Sequence, residues 1–367
     1  MSQKKINNIN CKVIYYLPVE RRYIKDWEYY LVDYEILNSI FRNVVLCTNL
    51  FQFIRELKGT SLVFCWWWHR SSHVVLISKI FGLKTAVTGA IHMYDICGAS
   101  DYYQKSFAYR LSCRICLAVA DLNLFISKDQ YLQVCSHLRV NNPTVVYSSL
   151  PQKHDDGGDF LEKFNKSKKT FANNCNRVKL LTVIWHTEDS YKRKGLFETM
   201  EALSLVQKKL GNCFSWTIAG ATGPGLKLLH QRISEFNLQD CVSIQTDLAA
   251  EVKEKLYQNS DLYVQPSWFE GFGNSVLEAM SFGLPALVSK YTAQTEVVGS
   301  EGLVVFEISP YEIYNKIRYF IELHGIDRDR LAQQAIIRVA KNFTFEHRKS
   351  GILSSLKTLE VPGLNID

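Results

Sequence analysis

Short apolar runs rich in β-branched and aromatic residues recur through the first half of the chain, at positions 12–17, 44–47, 62–68, 85–90, 122–126 and 144–147. Each has the length and composition of a buried strand. Between the first two, Trp27, Tyr30, Leu31, Tyr34 and Leu37 recur at helical spacing. From 152 to 177 the pattern turns polar, with Asp155-Asp156-Gly157-Gly158 followed by Lys166, Lys168 and Lys169, which marks a linker between domains. The alternation then restarts. Strands are predicted at 180–185, 214–219, 242–245, 262–264, 286–289 and 303–306. Leu196, Met200, Leu203, Val206 and Leu210 form a helical stripe, the last third is helical, and a terminal helix is expected over 346–359. Alternating strands and helices predict an α/β fold with a mostly parallel, doubly wound sheet in each half. Ligands of such sheets bind outside the carboxyl ends of the strands, so function is expected between the two halves.

The stretch 267–285, Ser-Trp-Phe-Glu-Gly-Phe-Gly-Asn-Ser-Val-Leu-Glu-Ala-Met-Ser-Phe-Gly-Leu-Pro, carries the densest chemistry. The apolar run before it closes at Pro266, and a turn with Gly271 and Gly273 follows. A helix begins near Asn274, with Asn274 or Ser275 expected as its cap, Gly283 to end it and Pro285 to open the next extended run. Glu270 lies in the turn and Glu278 one turn into the helix, with seven residues between them. A helix start offers unpaired amides and a positive dipole end that suit a diphosphate, and carboxylates beside it suit hydroxyls. Together they suggest a phosphorylated sugar.

Size and composition narrow the field. A chain of 367 residues exceeds what one core usually holds, so two domains are expected. Apolar residues make up 47% and charged residues 22%, values of a globular enzyme rather than a disordered chain. The longest clearly apolar run, 62–68, is far shorter than the ~20 residues of a membrane span, and residues 1–10 lack the apolar segment of a secretory signal. A cytoplasmic protein is expected. Its ten cysteines then read as free thiols, and the Cys113-x-x-Cys116 pair, inside an expected helix, as buried structural thiols. The net charge of +7 is uneven: residues 1–170 hold 22 Lys+Arg against 14 Asp+Glu, the remainder 21 against 22. A basic first half suits contact with anionic lipid headgroups or an acidic glycan. Nucleic acid is not expected, since no recognition motif accompanies the charge.

The second half resembles the retaining glycosyltransferases of family four, which have the GT-B fold. The resemblance rests on Lys194-Gly195, Ala219-Gly220, the 267–285 stretch and Glu296-Val297-Val298-Gly299, with Ala120-Asp121 through Ile126-Ser127 in the first half. It implies two Rossmann-like domains facing across a cleft: 1–170 binding the acceptor, 171–345 the nucleotide-sugar donor, and 346–367 a helix and tail crossing back to the first domain. Carried over by position, Glu270 would accept hydrogen bonds from the donor sugar's hydroxyls, as a sugar-recognition group rather than a covalent nucleophile. Gly271, Phe272 and Gly273 would line the same ring. Asn274, Ser275 and Val276 would offer helix-start amides to the diphosphate, and Glu278 would hold the ribose hydroxyls. Lys194 matches the phosphate-binding lysine, and His92 a histidine that faces the donor sugar.

The chain also departs from the family. Trp185 and His186 stand where an arginine is usual, which leaves Arg193 or Lys192 to supply the second charge on the phosphates. The loop 18–23 lacks the usual paired glycines and has Glu20, Arg21 and Arg22 instead. Trp66, Trp67 and Trp68 end a strand and are candidates to stack on an acceptor sugar, although strand alternation turns at least one inward. Asp327-Arg328-Asp329 reads as a helix start rather than a metal site, and no His/Cys cluster has zinc spacing. The expectation is therefore a metal-independent, retaining transferase with no cofactor beyond its substrate. It would move a hexose from a UDP- or GDP-sugar to a glycan or lipid-linked oligosaccharide in surface polysaccharide assembly, with peripheral membrane contact through the basic half. A non-catalytic sugar-nucleotide-binding scaffold and a phosphorylase or epimerase of the same architecture are the alternatives.

Overall fold

The structure is a computed structural model and describes residues 9–20, 28–93, 102–152 and 177–361. Arg21, Arg22 and most of the expected linker, 153–176, lie outside the described residues. The chain divides into two compact units, one formed by residues 1–94 and 100–156 together with the segment from Phe343 onward, the other by residues 95–99 and 157–342.

In the first unit the strands are β1 (Ile9–Tyr16), β2 (Phe41–Cys47), β3 (Thr60–Trp66), β4 (Lys84–Gly89), β5 (Leu122–Phe125) and β6 (Pro143–Val145). They form one parallel sheet in the order β2-β1-β3-β4-β5-β6, with Val13 opposite Val44 and Leu62. Successive residues of β1 are buried on opposite faces, as the period of a strand requires. Val13 and Tyr15 pack with α1 (Glu28–Ile40) through Val32, Ile36 and Leu37, and with the last helix, α14 (Phe345–Lys357), through Ile352 and Leu356. Ile14 and Tyr16 pack with Phe53 of α2 (Leu50–Glu56), Val74 and Val75 of α3 (Trp68–Ile80), Cys116 and Leu117 of α4 (Phe107–Val119), and Val134 of α5 (Lys128–His137). Ile352 and Leu356 are fully buried. At about 1.5–3 kcal/mol for each such side chain, they fasten the chain end to the first unit. The helix also brings Arg348 onto Asp33, with Nε–Oδ1 at 2.6 Å and the second nitrogen on Oδ2 at 2.9 Å.

The run expected as one strand over 62–68 divides in two. The strand ends at Trp66; Trp67 takes a left-handed backbone, φ 73°, and Trp68 opens α3. The turn is possible because β4 ends at Gly89, where an added Cβ would lie 3.1 Å from the Trp67 amide nitrogen. Trp68 is consequently a core residue, its indole N–H donating to Asn123 Oδ1 at 2.8 Å and its ring stacked on Phe125. Trp66 is buried edge-on to Tyr30, and Trp67 is half-buried. Cys113 and Cys116 are buried free thiols, and burial pushes the Cys113 thiol up to about 12.

In the second unit the strands are β7 (Val178–Val183), β8 (Phe214–Gly220), β9 (Val242–Thr246), β10 (Leu262–Gln265), β11 (Ala286–Ser289) and β12 (Leu303–Val305). They run parallel in the order β12-β11-β10-β7-β8-β9. The connecting helices are α6 (Glu188–Arg193), α7 (Leu196–Leu210), α8 (Leu226–Glu235), α9 (Ala250–Asn259), α10 (Asn274–Ser281), α11 (Gln294–Val298), α12 (Pro310–Glu322) and α13 (Gly325–Asn342). Asp327 falls in the first turn of α13. From β7 the chain builds outward to β9, then returns to pair β10 against the other edge of β7. Strand order therefore reverses between β7 and β10, and at such a point the loops at the carboxyl ends diverge and leave a crevice for a ligand.

Candidate functional site

The loops that leave β7 and β10 carry the residues singled out in the second half. After β10 the chain is pinned on several sides. Ser289 Oγ donates to the Ser267 carbonyl, the Trp268 amide donates to the Arg193 carbonyl at 2.9 Å, and the Trp268 indole donates to Glu198 at 3.0 Å. These bonds hold the Glu270 turn against α6 and α7.

The helix that follows is α10, and its start differs from expectation. Neither Asn274 nor Ser275 is the cap. Gly273 occupies that position with φ 103° and no side-chain cap bond, and Asn274 is the first helical residue. Only glycine adopts that backbone without strain, and an added Cβ there would meet Gln294 Cγ at 2.8 Å. The Val276 amide already bonds the Gly273 carbonyl at 3.0 Å, so it is taken up within the helix rather than offered to a ligand. Ser275 turns its hydroxyl onto Gln265 Oε1 at 2.9 Å. At the other end, Gly283 stands just past the helix at φ 72°, as its position predicted.

Arg193, the last residue of α6, forms an ion pair with Glu270 and also donates to the Phe269 carbonyl at 3.2 Å. Burial would raise the Glu270 carboxyl, but the charges of Arg193 and Lys194 and the Arg193 hydrogen bond outweigh it, and the group is held below the usual carboxylate range. Glu270 is thus an anion at neutral pH. Lys194 follows directly, its ammonium 3.3 Å from Gln265 Oε1 and 3.5 Å from the Val183 carbonyl. Burial lowers its pKa to about 8, Glu270 and Glu278 acting against that fall and Arg193 with it. Lys192 points elsewhere and pairs with Glu188 at 2.7 Å.

Glu278 is buried on the inner side of α10, where its Oε2 accepts from the Tyr257 hydroxyl at 2.8 Å and lies 3.3 Å from Lys253 Nζ. At the end of β7 Trp185 is exposed and His186 is fully buried. His186 Nδ1 meets the Tyr191 hydroxyl at 3.0 Å, its carbonyl accepts from Gly225, and burial lowers its pKa. It packs as a structural neutral imidazole.

Gly195 joins these parts. Its φ is 65°, and an added Cβ would stand 2.3 Å from the Pro266 carbonyl oxygen. The close approach lets Lys194 reach the end of β10. Gly195→Ala is expected to destabilise the protein by about 1–3 kcal/mol, measurable as a lowered thermal midpoint; an unchanged midpoint would show that the loop relaxes freely.

Arg193, Lys194, Glu270, Ser275 and Glu278 are therefore brought together in the second unit. His92 lies in the first unit, beyond the end of β4, where its carbonyl accepts from the Tyr102 amide at 2.8 Å. In the same unit, Arg70 donates to the Pro18 carbonyl at 3.0 Å, and the Trp67 and His69 rings are in edge contact. Gln265, Tyr257, Tyr263 and Lys253 contribute to the site without having been singled out. Only Gln265 left a visible trace, a polar residue closing an otherwise apolar strand.

The second unit is thus a doubly wound parallel sheet with cations, a helix start and two carboxylates gathered at its switch point. Residues 182–338 match the family described as Glycosyl transferases group 1. The chain is 30% identical over 142 residues to sucrose synthase from Melioribacter roseus, a match covering 36% of this chain and 18% of that protein. It is 26% identical over 168 residues to O-antigen chain mannosyltransferase B from Escherichia coli, covering 46% and 43% respectively. The chain thus spans less than half the length of these relatives. Among solved structures, Anabaena HepE in complex with UDP superposes with a TM-score of 0.70 over 95% of this chain and 100% of that one, at 16% identity. The fold is GT-B, with two parallel six-stranded sheets flanked by helices.

Proposed function

We propose that the protein is a metal-independent, retaining glycosyltransferase that moves a hexose from a UDP- or GDP-sugar to a glycan or lipid-linked oligosaccharide during surface polysaccharide assembly. The observation that carries this reading is the convergence of Lys194, Arg193, Glu270 and the start of α10 on the ends of β7 and β10, inside the matched family domain. A UDP complex of HepE and the O-antigen role of the mannosyltransferase support the donor class and the setting.

In this reading the bond between the anomeric carbon and the diphosphate oxygen breaks first, and its electron pair leaves with the diphosphate. Lys194 and the dipole end of α10 stabilise the charge that grows there. The acceptor hydroxyl oxygen then bonds the oxocarbenium-like carbon on the face just vacated, and its proton passes to the departing phosphate oxygen. Glu270 binds sugar hydroxyls and Glu278 the ribose. Arg193, which pairs with Glu270 here, is placed to exchange that carboxylate for phosphate oxygens when the donor enters. Among the described residues no helix is long and apolar enough to cross a membrane; the basic first half of the chain is assigned a peripheral contact with anionic headgroups.

The test is a calorimetric panel of UDP-, GDP- and ADP-hexoses with and without EDTA. One nucleotide class is expected to bind wild type regardless of chelator, with Glu270→Ala weakening the sugar nucleotide about tenfold or more and leaving the free nucleotide diphosphate nearly unaffected. If no sugar nucleotide bound wild type, the donor reading would fail; equal losses for both ligands would remove Glu270 from sugar recognition.

A further inference from the structure

One buried amide ties the phosphate-facing parts of the second unit together. Gln265, at the end of β10, is fully buried. Its Oε1 accepts from the Tyr263 hydroxyl at 2.9 Å, the Ser275 hydroxyl at 2.9 Å and the Lys194 ammonium at 3.3 Å. Its Nε2 donates to Ser267 Oγ at 3.2 Å. The Tyr263 hydroxyl accepts from the Val183 amide at 3.2 Å and lies 3.3 Å from the Val183 carbonyl, so the network also reaches the end of β7. A single side chain therefore touches the β10 loop, the first turn of α10 and the lysine that follows α6.

Three donors share an oxygen that has two lone pairs. The lysine makes the longest of the three bonds, and the two hydroxyls are each carried by a residue fixed in a strand or helix. The lysine is thus the donor most readily released to a ligand oxygen. Leucine would fill much of the same space but accept none of these bonds.

We propose that Gln265 is a positioning residue, which holds the Lys194 ammonium beside the first turn of α10 so that it meets the leaving diphosphate. It acts through Lys194 and does not itself touch the donor. The proposal rests on the donor reading above. The charged and titratable groups around Lys194 are Glu270 from the β10 loop, Arg193 from α6, Glu278 from α10 and the Tyr263 phenol from β10. Removing the amide oxygen withdraws a partner from the charged form, so Lys194 should lose its proton at lower pH. A carboxylate at 265 should have the opposite effect.

The experiment compares Gln265→Leu, Gln265→Glu, Lys194→Ala and the Gln265→Leu/Lys194→Ala double variant. Thermal unfolding selects a temperature at which all are folded. Gln265→Leu is expected to lower kcat about tenfold, with a smaller change in the donor KM, and to move the alkaline limb of the rate profile to lower pH. Gln265→Glu should move that limb to higher pH. In the Lys194→Ala background Gln265→Leu should cost almost nothing further. An unmoved limb, or a full tenfold loss added on top of Lys194→Ala, would overturn the proposal. If wild type binds no nucleoside diphosphate sugar, the donor reading fails on its own. The link between Gln265 and Lys194 is then read from the Lys194 titration, followed by ¹⁵N NMR of the free protein. A lower midpoint in Gln265→Leu supports the contact, and an unchanged midpoint refutes it.

Discussion

Lys194→Ala is expected to lower the rate of sugar transfer by about 10²–10³-fold while leaving the fold intact. The lysine is half-buried, with its charge 3.3 Å from one amide oxygen and 3.5 Å from one carbonyl, and of the two carboxylates that feel its charge Glu270 keeps Arg193 and Glu278 keeps Lys253, so its removal strands no anion. The loss should fall mainly on kcat, because charge on the leaving diphosphate develops during bond breaking. The pH dependence separates this role from simple donor binding. Burial sets the lysine pKa at about 8, so the cation is present through neutral pH and is lost as pH rises beyond that value. Wild-type kcat/KM should thus fall on the alkaline side with a midpoint near 8, and Lys194→Arg, which stays charged at any accessible pH, should abolish the fall even though its rate is lower. A profile unchanged by Lys194→Arg would assign the limb to another group.

The second large effect concerns stability. Arg348→Met is expected to cost about 3–5 kcal/mol. The arginine and Asp33 are both almost wholly removed from water, and the other terminal nitrogen of the guanidinium, Nη1, donates to the Val146 and Tyr147 carbonyls at 2.9 and 2.8 Å. Removing the cation leaves Asp33 charged and buried, together with two carbonyls short of a donor. Replacing both partners, as in Asp33→Leu/Arg348→Met, should recover a large part of the loss, because the stranded charge is then absent. Chemical denaturation followed by fluorescence gives both numbers. A double variant less stable than Arg348→Met would mean that the pair contributes more through its carbonyl bonds than through its charge.

Much of the architecture can be read from the sequence because it is local. The twelve strand runs have apolar stretches bounded by turn residues, and each appears within a few positions of expectation. Asn49, Ser127, Thr187 and Ser309 are polar residues directly ahead of their helices, and each accepts a backbone amide of the first turn. The start of α10 differs from expectation for a physical reason. Asn274 and Ser275 have the composition of caps, but Gly273 can take the left-handed backbone that closes the turn a residue earlier. The aromatic run 66–68 misled in a similar way, since a turn at Trp67 depends on the missing side chain of Gly89, more than twenty residues later.

Pairings across long separations leave no periodic signal. Arg193 meets Glu270 over 77 residues and Lys194 meets Gln265 over 71. The sequence nominated Glu270 from the glycine turn itself and Lys194 through the family resemblance, and it offered Arg193 or Lys192 for the second charge. The structure separates the last two, because α6 turns Arg193 toward the β10 loop and Lys192 toward Glu188.

The position of α14 bears on how the protein is made. Asp33 emerges early in synthesis, and its partner Arg348 follows 315 residues later. Until then the first sheet lacks one of the helices that cover it, whereas the described residues of the second unit, 177–342, all precede that helix in the chain. On the ribosome the order of completion is therefore expected to be reversed relative to the order of translation. The second unit is expected to close first, with Asp33 gaining its buried partner only when α14, the last described helix, is made.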